Sequence, residues 1–178
     1  MVELHTERLR LRPARMSDLQ AFHEIMSDGR AMAFWSTPPH VDETQTQEWL
    51  AAMVGIQPSD GEDFVIEHEG LTIGKAGFYR FPEIGFILHP ICWGRGLATE
   101  ALSAVIVRAF VQHKLPAIEA DVDPRNTAAL GLLTRLGVHE IGRQAAAWQV
   151  GGEWCDSVYL RLTADRWNRS SLPHPGVS

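Results

Sequence analysis

The chain has 178 residues, 45% of them apolar, which is enough for one domain with a full core. Its 16 basic and 22 acidic side chains leave a net charge of -6 with no block of Lys and Arg, which argues against nucleic acid as the main partner. The longest apolar run, residues 101–111, is broken by Ser103 and Arg108, so no membrane span of roughly 20 residues is expected.

In chain order, Met1-Val2-Glu3-Leu4-His5 lacks the basic-then-apolar layout of a signal peptide, and a cytoplasmic enzyme is expected. Residues 4–12 alternate, with Leu9 and Leu11 against Arg8, Arg10 and Arg12, and read as one strand ended by Pro13. Ser17 and Gln20 have the spacing of a capping box and open a helix to about Ser27, burying Leu19, Phe22 and Ile25 or Met26. Residues 33–40, with adjacent prolines, form a loop. Asp42 caps a second helix carrying Trp49, Leu50 and Met53, and residues 64–67 and 71–80 make a hairpin turned at Glu69-Gly70. Residues 83–89 are a further strand, 97–113 a helix, 116–122 a strand and 126–136 a helix closed by Gly137. Residues 141–150 and 154–162 pair across Gly151-Gly152. A single domain over 1–168 with a loose Ser-, Pro- and Gly-rich tail at 169–178 is expected. Strands first, then alternating strands and helices, imply an α/β fold with a mixed sheet and helices on its faces. Cys92 and Cys155 lie far apart and read as free thiols of a reduced compartment. The eight histidines are scattered without ligand spacing, so no metal is expected.

The most informative segment is Trp93-Gly94-Arg95-Gly96-Leu97-Ala98-Thr99, where a strand feeds a glycine turn that opens a helix. Gly94 and Gly96 let backbone N–H groups converge on an anion, and the helix adds unpaired donors and its positive dipole end. Such a turn suits the diphosphate of a nucleotide cofactor. The third glycine of a dinucleotide fingerprint is replaced by Thr99, and no Gly-Lys-Ser/Thr loop is present. Close packing of helix on strand remains the competing reading of this turn.

With Trp93-Gly94-Arg95-Gly96-Leu97-Ala98-Thr99-Glu100-Ala101 and Asn126-Thr127-Ala128-Ala129 through Leu136-Gly137-Val138 in order and in register, the sequence resembles the GNAT superfamily of N-acetyltransferases. Within it, the sequence resembles the ribosomal-protein-alanine acetyltransferase (RimJ/RimL-type) branch. The likeness runs from His5-Thr6-Glu7-Arg8 to Tyr159-Leu160. The resemblance implies a central, mostly antiparallel sheet with a splayed strand pair, flanked by helices. It implies acetyl-CoA as co-substrate, its diphosphate on the amides of Trp93, Gly94, Arg95, Gly96, Leu97, Ala98 and Thr99. Its pantetheine arm would pair with Phe86, Ile87 and Leu88, and Asn126 would contact the arm, a role that a plain helix N-cap rivals. The acceptor would be a small-molecule or peptide amine, with neither nucleic acid nor membrane as partner. Relatives often pair, so a homodimer is an expectation.

The sequence departs from the family where many relatives carry a thiolate-protonating tyrosine, since that position is Leu133. Glu83 matches an acidic position common in relatives and is the candidate base for the amine proton. Tyr159 and Thr134 are candidate donors to the thiolate. Trp35 and Ser36, in the proline loop, and Asp156 are candidate substrate-binding residues. No Gly-x-Ser-x-Gly elbow appears, and Cys92 beside Trp93 reads as an inert apolar residue, so direct transfer in a ternary complex is expected. A coenzyme-A-binding sensor or interaction module with little catalysis is the second reading, favoured by Leu133 alone.

Overall fold

The alternating N-terminal run does not form one strand. In the computed structural model, which describes residues 2–170, it is a hairpin of β1 (Leu4–His5) and β2 (Leu9–Pro13), with Leu4 opposite Leu11. The reversal buries Leu4, Leu9 and Leu11 together, which a straight strand would not allow. A 3-10 turn (Met16–Asp18) precedes α1 (Leu19–Met26). The expected Ser17 cap is supplanted: Asp18 accepts from the Arg15 N–H at 2.8 Å and is gripped by the Arg12 guanidinium at 2.6 and 2.9 Å. A charge-assisted pair of this kind outweighs a neutral hydroxyl cap. α2 (Glu43–Val54) starts as its sequence suggests, with the Asp42 carboxylate accepting from Gln45 N–H at 3.0 Å.

β3 (Glu62–His68) and β4 (Leu71–Arg80) turn at Glu69 and Gly70, both at positive φ, as a two-residue hairpin turn demands. β5 (Glu83–Leu88) follows, then α3 (Leu97–Val111), β6 (Ala117–Val122), α4 (Thr127–Arg135), β7 (His139–Val150) and β8 (Glu153–Thr163). The sheet order is β1-β2-β3-β4-β5-β6-β8-β7, and only β5 and β6 run parallel. This is the expected mixed, mostly antiparallel α/β sheet flanked by helices.

Two apolar cores lie on opposite faces. One packs α3 and α4 on Phe64, Ile66, Phe78, Ile84 and Leu88, while the other packs α1 and α2 on Val65 and Ile87. A short helix not among the expected elements, α5 (Ala164–Arg169), is capped by Thr163 and stacks Trp167 on Phe110 with ring centroids 5.1 Å apart. From residue 171 the expected tail lies outside the described residues.

The feature that positions the site is the seam of the sheet. β5 and β6 meet in register only at Glu83 and Glu119, where Glu119 N–H also donates to Pro82 O at 2.9 Å. Beyond that point the strands diverge. From Ile84 to Leu88, β5 is paired on its β4 side alone, and the opposite edge of its backbone faces a gap.

Candidate active site

The turn after β5 follows that open edge, and Trp93, Gly94 and Gly96 line the cleft beside it. His89 Nδ1 accepts from Ile91 N–H at 3.2 Å, holding a 3-10 turn over Pro90–Cys92. The Trp93 indole donates to Leu88 O at 3.0 Å and ties the turn to the strand end. Gly94 and Gly96 then adopt φ of +70° and +76°, the left-handed region that side chains resist. Gly96 is the N-cap of α3 and supplies no side-chain cap. Among the described residues, nothing accepts from the N–H groups of Gly94, Arg95, Gly96, Leu97, Ala98 or Thr99; the first bonded amide is Glu100, donating to Gly96 O at 3.1 Å. Six consecutive free donors at the positive end of a helix form a cradle of the kind that suits an anion.

The cradle is braced from the other end of the chain. Glu100 accepts from Thr6 Oγ1, from Arg8 N–H at 2.8 Å and from Arg8 Nε at 2.7 Å, while Arg8 Nη1 donates to Arg95 O at 2.9 Å. Burial pushes the Glu100 carboxyl up, but the bonds from Thr6 and Arg8 outweigh it and leave the group below its usual range. The β1–β2 reversal thus serves the site, a contact spanning 94 residues that local patterning does not signal.

Between the splayed strands and the starts of α3 and α4 lies a cleft of about 610 Å³. Of the residues singled out from sequence, Phe86, Ile87, Leu88, Trp93, Gly94, Gly96, Leu97, Ala98, Thr99, Asn126 and Trp35 line it. Asn126 Oδ1 accepts from Ala129 N–H at 3.1 Å as an N-cap, while its Nδ2 has no partner among the described residues. Capping and ligand contact are therefore compatible.

Six other candidates lie outside the lining. Arg95 turns its guanidinium to His68, 3.1 Å away. Glu83 is exposed at the start of β5, where the seam is still closed, on the same face as Gly85 and Ile87. Tyr159, on β8, donates its hydroxyl to Gln144 Oε1 at 3.1 Å. Asp156 accepts from Ala146 N–H at 2.9 Å and braces the irregular β7–β8 pairing. Ser36 is exposed beyond Trp35. Thr134 donates back to Leu130 O at 2.8 Å, and Leu133 is buried in the core.

The cleft also draws on residues not anticipated as site residues. Ala31 comes from the loop after α1, beside Phe34 of the expected acceptor loop, Cys92 from the 3-10 turn, and Thr127, Ala128, Gly131 and Leu132 from α4. Two cations, Arg30 and Arg135, join them, and among the described residues no carboxylate lines the cleft. Docking of distant segments creates this lining, so only the helical spacing of Thr127, Ala128, Gly131 and Arg135 hinted at it. Burial pushes the Cys92 thiol up, with Arg95 opposing weakly, which disfavours a thiolate nucleophile. Among the described residues, no three His, Cys, Asp or Glu side chains are grouped to hold a metal ion, and no helix is long and apolar enough to cross a membrane.

Residues 8–139 match the acetyltransferase (GNAT) domain family. The chain belongs to that family. This GNAT-type acyltransferase is 27% identical to the uncharacterized N-acetyltransferase YnaD of Bacillus subtilis, over 94% of the chain and 100% of that protein. It is 29% identical to the L-methionine sulfoximine/L-methionine sulfone acetyltransferase of Pseudomonas paraeruginosa, over 87% of the chain and 94% of that protein. Its fold is similar to that of RimL, the ribosomal L7/L12 alpha-N-protein acetyltransferase, solved in complex with coenzyme A, with a TM-score of 0.80, 18% identity and coverage of 90% and 97%.

Proposed function

We propose that this GNAT enzyme moves acetyl from acetyl-CoA to the amine of a protein N-terminus or small molecule by direct attack in a ternary complex, as a RimJ/RimL-type member. The observation that carries this reading is the run of six free amides at the start of α3, opening onto a cleft floored by an unpaired strand edge. Coenzyme A fits that donor set: the cradle suits its diphosphate, and the free edge of Phe86 to Leu88 suits the amides of its pantetheine arm. The Asn126 Nδ2 is available to the same arm. Bound there, acetyl-CoA supplies an acyl group activated as a thioester.

The chain's own residues have three tasks. Backbone N–H groups near Ile87 and Leu88 would meet negative charge developing on the carbonyl oxygen. Glu83 is assigned the proton lost by the amine, reached along the sheet face it shares with Gly85 and Ile87. Tyr159 is the candidate donor to the departing sulfur, which requires its hydroxyl to leave Gln144. Trp35 walls the acceptor end, with Ser36 beside it and Asp156 on the closing hairpin. We treat residues 1–168 as one acyl-CoA N-acyltransferase domain, and the two free cysteines support a cytoplasmic setting.

The test is release of free coenzyme A from acetyl-CoA with a panel of amino acids, peptides and polyamines. Amine-dependent release, with one acetyl group gained by the amine, is expected. A folded protein that releases none with any amine contradicts the reading.

A further inference from the structure

We propose that Lys75 takes a carboxylate of the acceptor, so that the enzyme acts on free α-amino acids. The inference rests on the acyl-CoA reading above and narrows its acceptor.

The sheet face under α1 and α2 carries two rows of residues across β3, β4 and β5. Val65, Lys75 and Ile87 form one row, and Asp63, Gly77 and Gly85 form the next. The second row has no side chain on β4 or β5, and the buried pair occupies the room. A Cβ on Gly77 would lie 2.9 Å from Asp63 Oδ1, and one on Gly85 would lie 3.6 Å from Lys75 Nζ. Asp63, its side chain 2% exposed, is thus shut in over Gly77, while the Lys75 ammonium reaches across to Gly85 on the strand that borders the gap.

An ammonium has three donors. That of Lys75 gives one to Asp63 Oδ2 at 2.8 Å and faces the Trp35 ring at 5.4 Å, with no other hydrogen-bond acceptor among the described residues. Asp63 Oδ1 is buried without a partner among them. The pair is therefore incompletely satisfied, and the side chains flanking its ammonium, Trp35 and Ile87, both line the cleft. A group arriving over Gly85 meets the cation of the pair, between Glu83 and Ile87 on the same face. The acceptor nitrogen stands there if Glu83 takes its proton and the amides near Ile87 and Leu88 hold the acyl oxygen. A carboxylate one carbon from that nitrogen then lies within reach of the ammonium, where a charge-assisted bond forms. A polycation finds no such partner: the cleft is lined by Arg30 and Arg135 and, among the described residues, by no carboxylate. If the pair only holds the sheet together, its loss weakens every acceptor alike.

The test compares free amino acids with their amides and decarboxylated amines, beginning with leucine, leucinamide and isoamylamine, on the wild type and on Lys75→Met/Asp63→Leu. The double variant removes both charges, and circular dichroism and the melting temperature check its fold. In the wild type kcat/KM should favour the acid over both analogues by about tenfold to a hundredfold, the range for one hydrogen bond to a charged group. In the double variant the acid and its analogues should fall within about threefold of one another. A wild type that takes amides or decarboxylated amines as well as the acids, or takes peptides or polyamines and no free amino acid, overturns the subsite and leaves the acyl-CoA reading intact. A preference for the acid that survives unchanged in the folded double variant overturns the assignment to Lys75. Release of coenzyme A with no amine at all by folded wild type overturns both readings.

Discussion

Replacing Lys75 by Met should destabilise the centre of the sheet in a pH-dependent way. Lys75 lies in β4, 4% exposed, with its ammonium 2.8 Å from Asp63 Oδ2 and 5.4 Å from the centre of the Trp35 ring. Asp63 is buried, and its Oδ1 has no partner among the described residues. Burial pushes the Asp63 carboxyl above its usual range against the pull of Lys75. Met keeps the length of the side chain, so the loss is mostly electrostatic: an uncompensated buried carboxylate, at about 3–5 kcal/mol. At roughly 2–4 °C per kcal/mol for this size, the melting temperature should fall by about 6–20 °C at pH 8. Without the ammonium, the folded pKa of Asp63 rises further above its unfolded value of about 3.9. A carboxyl raised in the fold is tolerated below the unfolded value and costs stability as pH rises through the folded one. The deficit should therefore be smallest near pH 4 and largest at pH 8. Urea unfolding followed by tryptophan fluorescence measures it, and Lys75→Met/Asp63→Leu should recover most of the loss. A single variant within about 1 kcal/mol of wild type at every pH refutes the electrostatic account.

Glu83→Gln should lower kcat by about 10²–10⁴ if the carboxylate takes the amine proton, and flatten the rise of rate with pH. A change under about threefold removes Glu83 from that role. Cys92→Ala should keep kcat within about threefold, since burial disfavours the thiolate, whereas an acetylated Cys92 trapped by mass spectrometry contradicts direct transfer. Glu100→Ala should loosen the cradle and raise KM for acetyl-CoA about tenfold with little change in kcat, and an unchanged KM shows that the Thr6–Arg8 brace is dispensable.

Where local chemistry decides, the sequence is a good guide. The Glu69-Gly70 and Gly151-Gly152 turns, the Asp42 and Asn126 caps and the positive φ of Gly137 all follow from residues within a few positions of one another. The same holds for the glycine turn at Gly94 and Gly96. Where a distant partner decides, local patterning is silent. Glu100 holds the Thr6–Arg8 reversal, Arg12 recruits Asp18 in place of Ser17, and Arg30 and Arg135 reach the cleft only once α4 and the 29–42 loop have docked. For α5 the local signal exists, in Thr163 and Asp165, but the Ser-, Pro- and Gly-rich stretch after it masks a helix of six residues.

The most direct test of the central claim is acetyl-CoA binding by calorimetry to the wild type and to Gly94→Glu. A Cβ on Gly94 meets no atom within 4 Å, so the new side chain has room in the protein and sets its charge beside the cradle. Its φ of +70° adds strain of about 1–2 kcal/mol, which circular dichroism and the melting temperature monitor. Binding by the wild type that is lost in a folded Gly94→Glu is the predicted result. Equal binding by both, or none by a folded wild type, contradicts the assignment of the glycine turn as the site of coenzyme A.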